Sequence, residues 1–231
     1  MQIAAGALAV MGVAAYAVRG RSSVIFAPSV YHGDRSRPAL ALTFDDGPSE
    51  STPALLDLLS KHNITATFFM CGSNVRRYPA IARQVAEAGH EIGNHTDSHP
   101  YFFRCSSVDI LREIGAAQTA IQDATGITPR LFRAPYGVRW FGLRAAQRKF
   151  NLLGVMWTVI ARDWVLPGPQ AAARLIDRSS NGGILCLHDG RALEPHPDIR
   201  ATLDAVEQAV PVLRQHGFRF ETVSEILCPT T

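Results

Sequence analysis

Cysteine is scarce. The 231 residues hold four, Cys71, Cys105, Cys186 and Cys228, and none forms a C-x-x-C pair, so the spacing speaks against a zinc–thiolate site. Cys71 and Cys186 fall in apolar runs and read as small buried hydrophobes; one disulfide stays open if the protein is exported. Charge of one sign is also missing. Lys and Arg number 23 against 20 Asp and Glu, a net charge of +3, without the clustered basic stripe of a nucleic-acid binder, so no nucleic acid is expected as a partner. Nor is there an uninterrupted apolar run of the roughly 20 residues that comfortably span a bilayer. Ile3 to Val18 is shorter and is followed by Arg19 and Arg21. Ala15-Tyr16-Ala17 resembles an A-x-A cleavage site, yet no Lys or Arg precedes the run. Residues 1–20 are therefore expected to be a signal peptide or membrane anchor, with membrane association through residues 3–18, or else a helix packed on the domain. Export or anchoring in the cell envelope is the expected location, and arginines after the segment leave a cytoplasmic face open. Repeats and low-complexity linkers are absent too. One domain, 38–228, is expected after a tether over 21–37.

What is present is a regular alternation. Apolar runs at Ala39–Phe44, Ala66–Met70, Glu91–Gly93, Leu131–Arg133, Leu152–Thr158, Gly183–Leu187 and Arg219–Thr222 read as strands. Between them, Thr52–Lys61, Pro79–Ala88, Val108–Thr125, Gly142–Phe150, Gln170–Arg178 and Ile199–His216 carry helical patterns. Ser51-Thr52-Pro53 opens the first, and Gly89 and Gly126 close later ones. Strand–helix alternation at this spacing predicts a parallel sheet with helices outside, an α/β barrel or strongly curled sheet whose chemistry collects where strands end.

Unusual polar residues stand at four of those strand ends. Asp45-Asp46-Gly47-Pro48 follows the first strand; it is ordinary turn chemistry or a carboxylate pair awaiting a cation. His95 and His99 follow the third, four residues apart, a spacing that brings both imidazoles to one ion if the segment turns helically. With Asp46 they make a three-ligand set that leaves positions open for water and substrate. Arg133 leaves the fourth strand into Pro135-Tyr136, either as a surface arginine beside a turn or as the holder of a carboxylate. His188-Asp189 ends the strand Gly183–Leu187, where a histidine is ordinarily structural. The coincidence of four such ends points to an active site.

These motifs are recognisable in order: T-F-D-D-G-P at Thr43–Pro48, H-T-x-S-H at His95–His99, R-A-P-Y at Arg133–Tyr136 and L-x-L-H-D at Leu185–Asp189. The stretch from Pro38 to about Leu227 resembles the polysaccharide deacetylases of the NodB-homology type, carbohydrate esterase family 4. The resemblance implies a distorted (β/α)7-type TIM-like barrel in a single domain. It also implies a divalent metal, usually Zn2+ with Co2+ or Ni2+ possible, on Asp46, His95 and His99. Asp45 would be the general base, Arg133 would orient it, the Tyr136 N–H would help hold the oxyanion, and His188 would be the general acid. The substrate would be an N-acetylated glycan, peptidoglycan or a chitin-like oligosaccharide, losing its acetyl group by hydrolysis.

One position departs from the pattern. Relatives of this type often carry D-x-x-D-W after the fifth strand, the first Asp supporting the histidine; here Ile160 replaces it, while Asp163 and Trp164 match. Either His188 lacks its carboxylate or Asp163 serves. Tyr101, Phe102, Phe103, Trp140 and Trp164 are candidates to stack on sugar rings or to pack in the core. Two rival readings follow: a deacetylase or deformylase of a lipid-linked amino sugar, and a sugar-binding protein with impaired catalysis.

Overall fold

From Ala39 to Asp45 every residue is buried, on both faces of the strand, which is the signature of a central strand in a parallel sheet. The computed structural model describes residues 2–228, with side chains from residue 11 onward. Its nine strands are β1 (Ser29–Val30), β2 (Ala39–Asp45), β3 (Thr67–Met70), β4 (Glu91–Asn94), β5 (Leu131–Phe132), β6 (Leu153–Val155), β7 (Val159–Ile160), β8 (Gly183–His188) and β9 (Arg219–Phe220). They form one sheet in the order β1-β6-β5-β4-β3-β2-β8-β7, with β9 added to β2. Every strand pair in it is parallel.

The run from Leu152, expected as one strand, is broken. β6 pairs β5 on one side of the sheet order and β7 pairs β8 at the other end. Because the two pieces are joined through Met156–Thr158, the break draws the ends of the sheet together into a distorted barrel. The carbonyls at the kink do not go unpaired. Arg133 donates from Nε to Val155 O (3.2 Å) and from Nη2 to Met156 O (3.3 Å), so a buried guanidinium replaces the ladder bonds that a continuous strand would make.

The helices are α1 (Gln2–Arg19), α2 (Thr52–Lys61), α3 (Gly72–Arg77), α4 (Pro79–Glu87), α5 (Ser107–Thr125), α6 (Leu143–Phe150), α7 (Gly168–Arg178), α8 (Arg200–Gln215) and α9 (Val223–Leu227). Their ends follow local chemistry. Pro53 stands in the first turn of α2. Ser106 and Asp109 form a reciprocal capping box at the start of α5, and Gly126 closes it at φ 75°. The largest core cluster joins Leu40, Leu42, Phe44, Phe68 and Leu187 from the strands to Leu55, Leu175 and Val206 from α2, α7 and α8.

The segment expected as a tether lies along the domain instead. β1 pairs β6, Ala27 is fully buried, His32 bridges Gly183, and Arg37 makes a bidentate pair with Glu221 (3.0 and 2.9 Å). Arg, Ser and Gly suggested solvent, but the backbone supplies the edge partners. The apolar segment before it is helical as α1, and its end is held down: the Arg139 N–H donates to Val18 O (3.0 Å) and Ala17 is buried. Met11, Val13 and Tyr16 are exposed, and the side chains of residues 3–10 lie outside those described. Among the described residues no helix is long and apolar enough to cross a membrane.

Candidate active site

The carboxyl ends of β2, β4, β5 and β8 converge on one cleft of about 620 Å³, a volume typical of small-molecule sites. Asp45, Asp46, His95, His99, Tyr136 and His188 all line it, as do Tyr101, Trp157, Trp164, Ile160 and Cys186. Asp163 and Arg133 stand behind this lining, each hydrogen-bonded to its members.

Asp46, His95 and His99 come together as expected. Asp46 Oδ1 lies 3.3 Å from His95 Nε2 and 3.1 Å from His99 Nε2. A tetrahedral ion with N and O ligands at about 2.0–2.1 Å would hold such atoms about 3.3 Å apart. Asp46 Oδ1 is buried without a hydrogen-bond partner, while Oδ2 accepts from Ala192 N (2.8 Å). His95 Nδ1 donates to Arg133 O (2.7 Å), which leaves Nε2 with its lone pair facing Asp46. His99 Nδ1 has no partner among the described residues, so its Nε2 is free to present a lone pair, and the three atoms together are a set that can hold a divalent cation. Burial pushes the Asp46 carboxyl up, but the two imidazoles facing it hold it well below the usual carboxylate range.

The route by which His99 arrives differs from expectation. Residues 95–99 form a bend and not a helical turn, with Thr96 at φ 69° and His99 at φ 56°. Side-chain acceptors hold that shape. Asn94 Oδ1 takes the Thr96 N–H (2.8 Å), and Thr96 Oγ1 takes the His99 N–H (3.1 Å). Glu113 on α5 accepts from Asp97 N (3.1 Å), Ser98 N (2.8 Å) and Ser98 Oγ (2.8 Å). A carboxylate with three donors outcompetes the helical hydrogen-bond pattern. Glu113 was missed in the sequence; the only signal was its place on the inner side of a long amphipathic helix.

Arg133 is not a surface arginine. It is fully buried, with Nη1 donating to Asp45 Oδ1 (2.7 Å) and Thr43 Oγ1 (2.6 Å) and its guanidinium 4.1 Å from the Phe69 ring centroid. Its side chain fixes Asp45 while its carbonyl fixes His95, so a single residue sets the relation of two. Removing the guanidinium would strand a buried carboxylate, at a cost of about 3–5 kcal/mol.

On the other side, register pairs Asp45 of β2 with His188 of β8. His188 donates from Nδ1 to Asp163 Oδ1 (2.9 Å) and from its N–H to Asp163 Oδ2 (2.9 Å). Asp163 Oδ2 also accepts from Thr202 Oγ1 on α8 (2.6 Å). Burial lowers the affinity of His188 for a proton, but the Asp163 charge and hydrogen bond, with Asp46 and Asp45, outweigh it and raise its pKa to about 9. Asp163 itself is pulled down: burial raises it, and His188, Thr202 and Arg191 more than offset that. Ile160 lines the cleft without a polar group.

Tyr136 takes φ 57° in the turn after β5. Its ring stacks on Tyr101 (3.7 Å) and meets His99 edge-on (4.5 Å). Trp164 stands half-exposed against His188 (4.9 Å). Phe103 is exposed beside Tyr101 (5.3 Å). Two other aromatic candidates are elsewhere: Phe102 is core, and Trp140 packs with Phe26 and Phe141. Trp157, not anticipated, lines the cleft. All four cysteines are free thiols, with Cys71 and Cys186 buried.

Comparisons with known proteins agree with this geometry. A sequence model described as polysaccharide deacetylase matches residues 32–154. A chitooligosaccharide deacetylase of Bradyrhizobium sp. (strain ANU 289) is 34% identical over 212 residues, covering 87% of this chain and 97% of that one. A peptidoglycan-N-acetylglucosamine deacetylase of Bacillus cereus is 31% identical, with 84% of this chain and 70% of that one covered. The crystal structure of a peptidoglycan N-acetylglucosamine deacetylase in complex with 4-naphthalen-1-yl-N-oxidanyl-benzamide superposes with a TM-score of 0.81 at 30% identity, covering 87% and 92% of the two chains. On these matches the chain belongs to the polysaccharide deacetylase family, the NodB-type hydrolases of carbohydrate esterase family 4.

Proposed function

We propose that this chain hydrolyses N-acetyl groups from an N-acetylglucosamine-containing glycan, either peptidoglycan or a chitin-like oligosaccharide. In this reading Zn2+ is held by Asp46, His95 and His99, with Asp45 as base and His188 as acid. One observation carries it: the β2–β8 register sets Asp45 opposite His188 beside the ligand triad, each with a buried partner of its own, Arg133 and Asp163. The names of the relatives, a chitooligosaccharide and a peptidoglycan deacetylase, support the substrate class.

An amide needs help at both ends, because its carbonyl is a poor electrophile and its amine a poor leaving group. A divalent ion in the triad supplies a Lewis acid for the carbonyl and lowers the pKa of water. Asp45 keeps Oδ2 for the proton of the attacking water, since Arg133 occupies Oδ1. The Tyr136 N–H is assigned to the developing oxyanion. His188, charged at neutral pH by its raised pKa, delivers a proton to the departing sugar nitrogen. Asp163 holds the Nδ1 proton in place, so the acidic proton sits on Nε2, the other ring nitrogen. The carboxylate three residues on thereby takes the part that Ile160 cannot.

Acetate release from N-acetylglucosamine oligomers, measured with Zn2+ and after chelation, tests the reading with Asp45→Asn as control. Chelation is expected to abolish release and the substitution to lower it by about 10²- to 10⁴-fold. A metal-loaded protein that releases neither acetate nor formate from any acylated sugar would overturn it in favour of sugar binding alone.

A second substrate is favoured by a separate observation. Arg19, the last residue of α1, lines the cleft, and Met11, Val13 and Tyr16 are exposed on the same helix. This supports a lipid-linked amino sugar, deacetylated or deformylated at the envelope. Relative rates on soluble chitin oligosaccharides and lipid-linked sugars separate the two.

A further inference from the structure

Cys186 lines the cleft with a nucleophilic side chain that the proposed chemistry does not use. It lies two residues before His188 on β8, and the period of a strand puts both side chains on the same face. Its Sγ is 3.5 Å from Asp45 Oδ2. Asp45, Cys186 and His188 each offer a ligand atom within 4.8 Å of the others.

We propose that Asp45, Cys186 and His188 form a second, inhibitory site for a thiophilic divalent cation, Zn2+ in excess or Cd2+. Three features carry this. The first is distance: tetrahedral bonds of about 2.3 Å to sulfur and about 2.0 Å to oxygen place those two atoms about 3.5 Å apart, the separation seen. The second is the state of the donors. Arg133 takes Asp45 Oδ1 and Asp163 takes His188 Nδ1, which leaves Nε2 and an Oδ2 whose hydrogen-bond partner is the Cys186 thiol itself. A histidine backed by a carboxylate is the usual form of an imidazole ligand. The third is position, since all three residues border the cleft, Cys186 from a buried place in its floor. One nitrogen, one oxygen and one sulfur suit Zn2+ and Cd2+ and not Mg2+ or Ca2+.

Burial, with the Asp45 charge, pushes the Cys186 thiol well up, so the site holds a thiol until a cation arrives. Binding forms the metal–sulfur and metal–nitrogen bonds and releases two protons to solvent, one from the Cys186 thiol and one from Nε2 of the charged His188. The ligand triad is adjacent, with His95 Nε2 4.0 Å from Asp45 Oδ2. Binding rests on this geometry alone. Inhibition rests additionally on the roles proposed for Asp45 and His188, because the cation occupies the atoms that would take and give the protons.

The test titrates Cd2+ into full-length protein already holding one equivalent of Zn2+. Bound metal, the ultraviolet band of a cadmium–thiolate bond, and acetate release are followed together. A second equivalent is expected, with the band and loss of activity rising in parallel. Cys186→Ala and the bulkier Cys186→Val should remove the band and weaken the second equivalent by more than about tenfold, since even outer partners of metal ligands are worth that much. A Cys105→Ala/Cys228→Ala double variant should keep both. One metal per chain at saturation, or a band that persists without Cys186, would overturn the site. Binding with the band but with full activity upholds the site and counts instead against the roles of Asp45 and His188.

Discussion

The two halves of the cleft are built differently. On the β4–β5 side the groups interlock: Arg133 fixes Asp45 through its side chain and His95 through its carbonyl, and Glu113 folds the loop that delivers His99. On the β8 side a single carboxylate, Asp163, carries His188 by both its ring and its N–H. The first half spreads its geometry over several buried bonds and follows the family motifs closely. The second concentrates it on one residue, Asp163, three positions after Ile160, where the sequence departs from the pattern. Where support is distributed, one loss displaces several groups; where it is concentrated, one loss changes one pKa.

Substitutions can break that contrast. The largest effect is expected from His95→Ala, which should remove bound metal and lower activity by more than about 10⁴-fold, beyond the loss of a base alone; metal analysis alongside acetate release checks it. Asp45→Asn should cost about 10²- to 10⁴-fold in turnover while metal content stays near one per chain, which separates base from ligand on the same strand end.

Asp163→Asn should lower kcat by about 10- to 100-fold with metal content intact, an outer-partner penalty. It carries a pH signature as well. His188 must be protonated to act, and its pKa stands at about 9, so activity is expected to fall as pH rises through that value. Removing the Asp163 charge lowers the pKa, so the alkaline limb of the kcat profile should move to lower pH. An unmoved limb, or unchanged turnover, would take Asp163 out of the mechanism. The smallest effect belongs to Glu113→Gln, which keeps one acceptor oxygen. Metal affinity should drop about tenfold, read by competition with a chelator, while kcat at saturating metal stays within a factor of two or so.

Much of this site is legible in the sequence. The β2 and β8 runs are apolar throughout, their ends carry carboxylates and histidine, and short-range signals such as Pro53 and Gly126 placed helix boundaries well. What escaped notice was long-range. Glu113 and Thr202 look like any polar helix residue until the fold places them against Asp97–Ser98 and Asp163. The kink after β6 leaves no local signal, and the Arg133 guanidinium that bonds its carbonyls lies more than twenty residues away. The stretch 21–37 read as solvent-facing by composition, yet β1 is held by backbone hydrogen bonds, which composition does not report.

The sequence by itself determined the scaffold and the identity of the chemistry. Periodicity and turn residues act locally, and ordered strand-end motifs specify Asp45, Asp46, His95, His99 and His188. Only the tertiary structure decided how those residues are tuned. It buried Arg133 between two strand ends, let Asp163 stand where Ile160 offers nothing, and brought Cys186 to 3.5 Å from Asp45. Those relations depend on distances between atoms remote in the chain, and a pKa, an ion pair or a metal site depends on distance and burial before it depends on order.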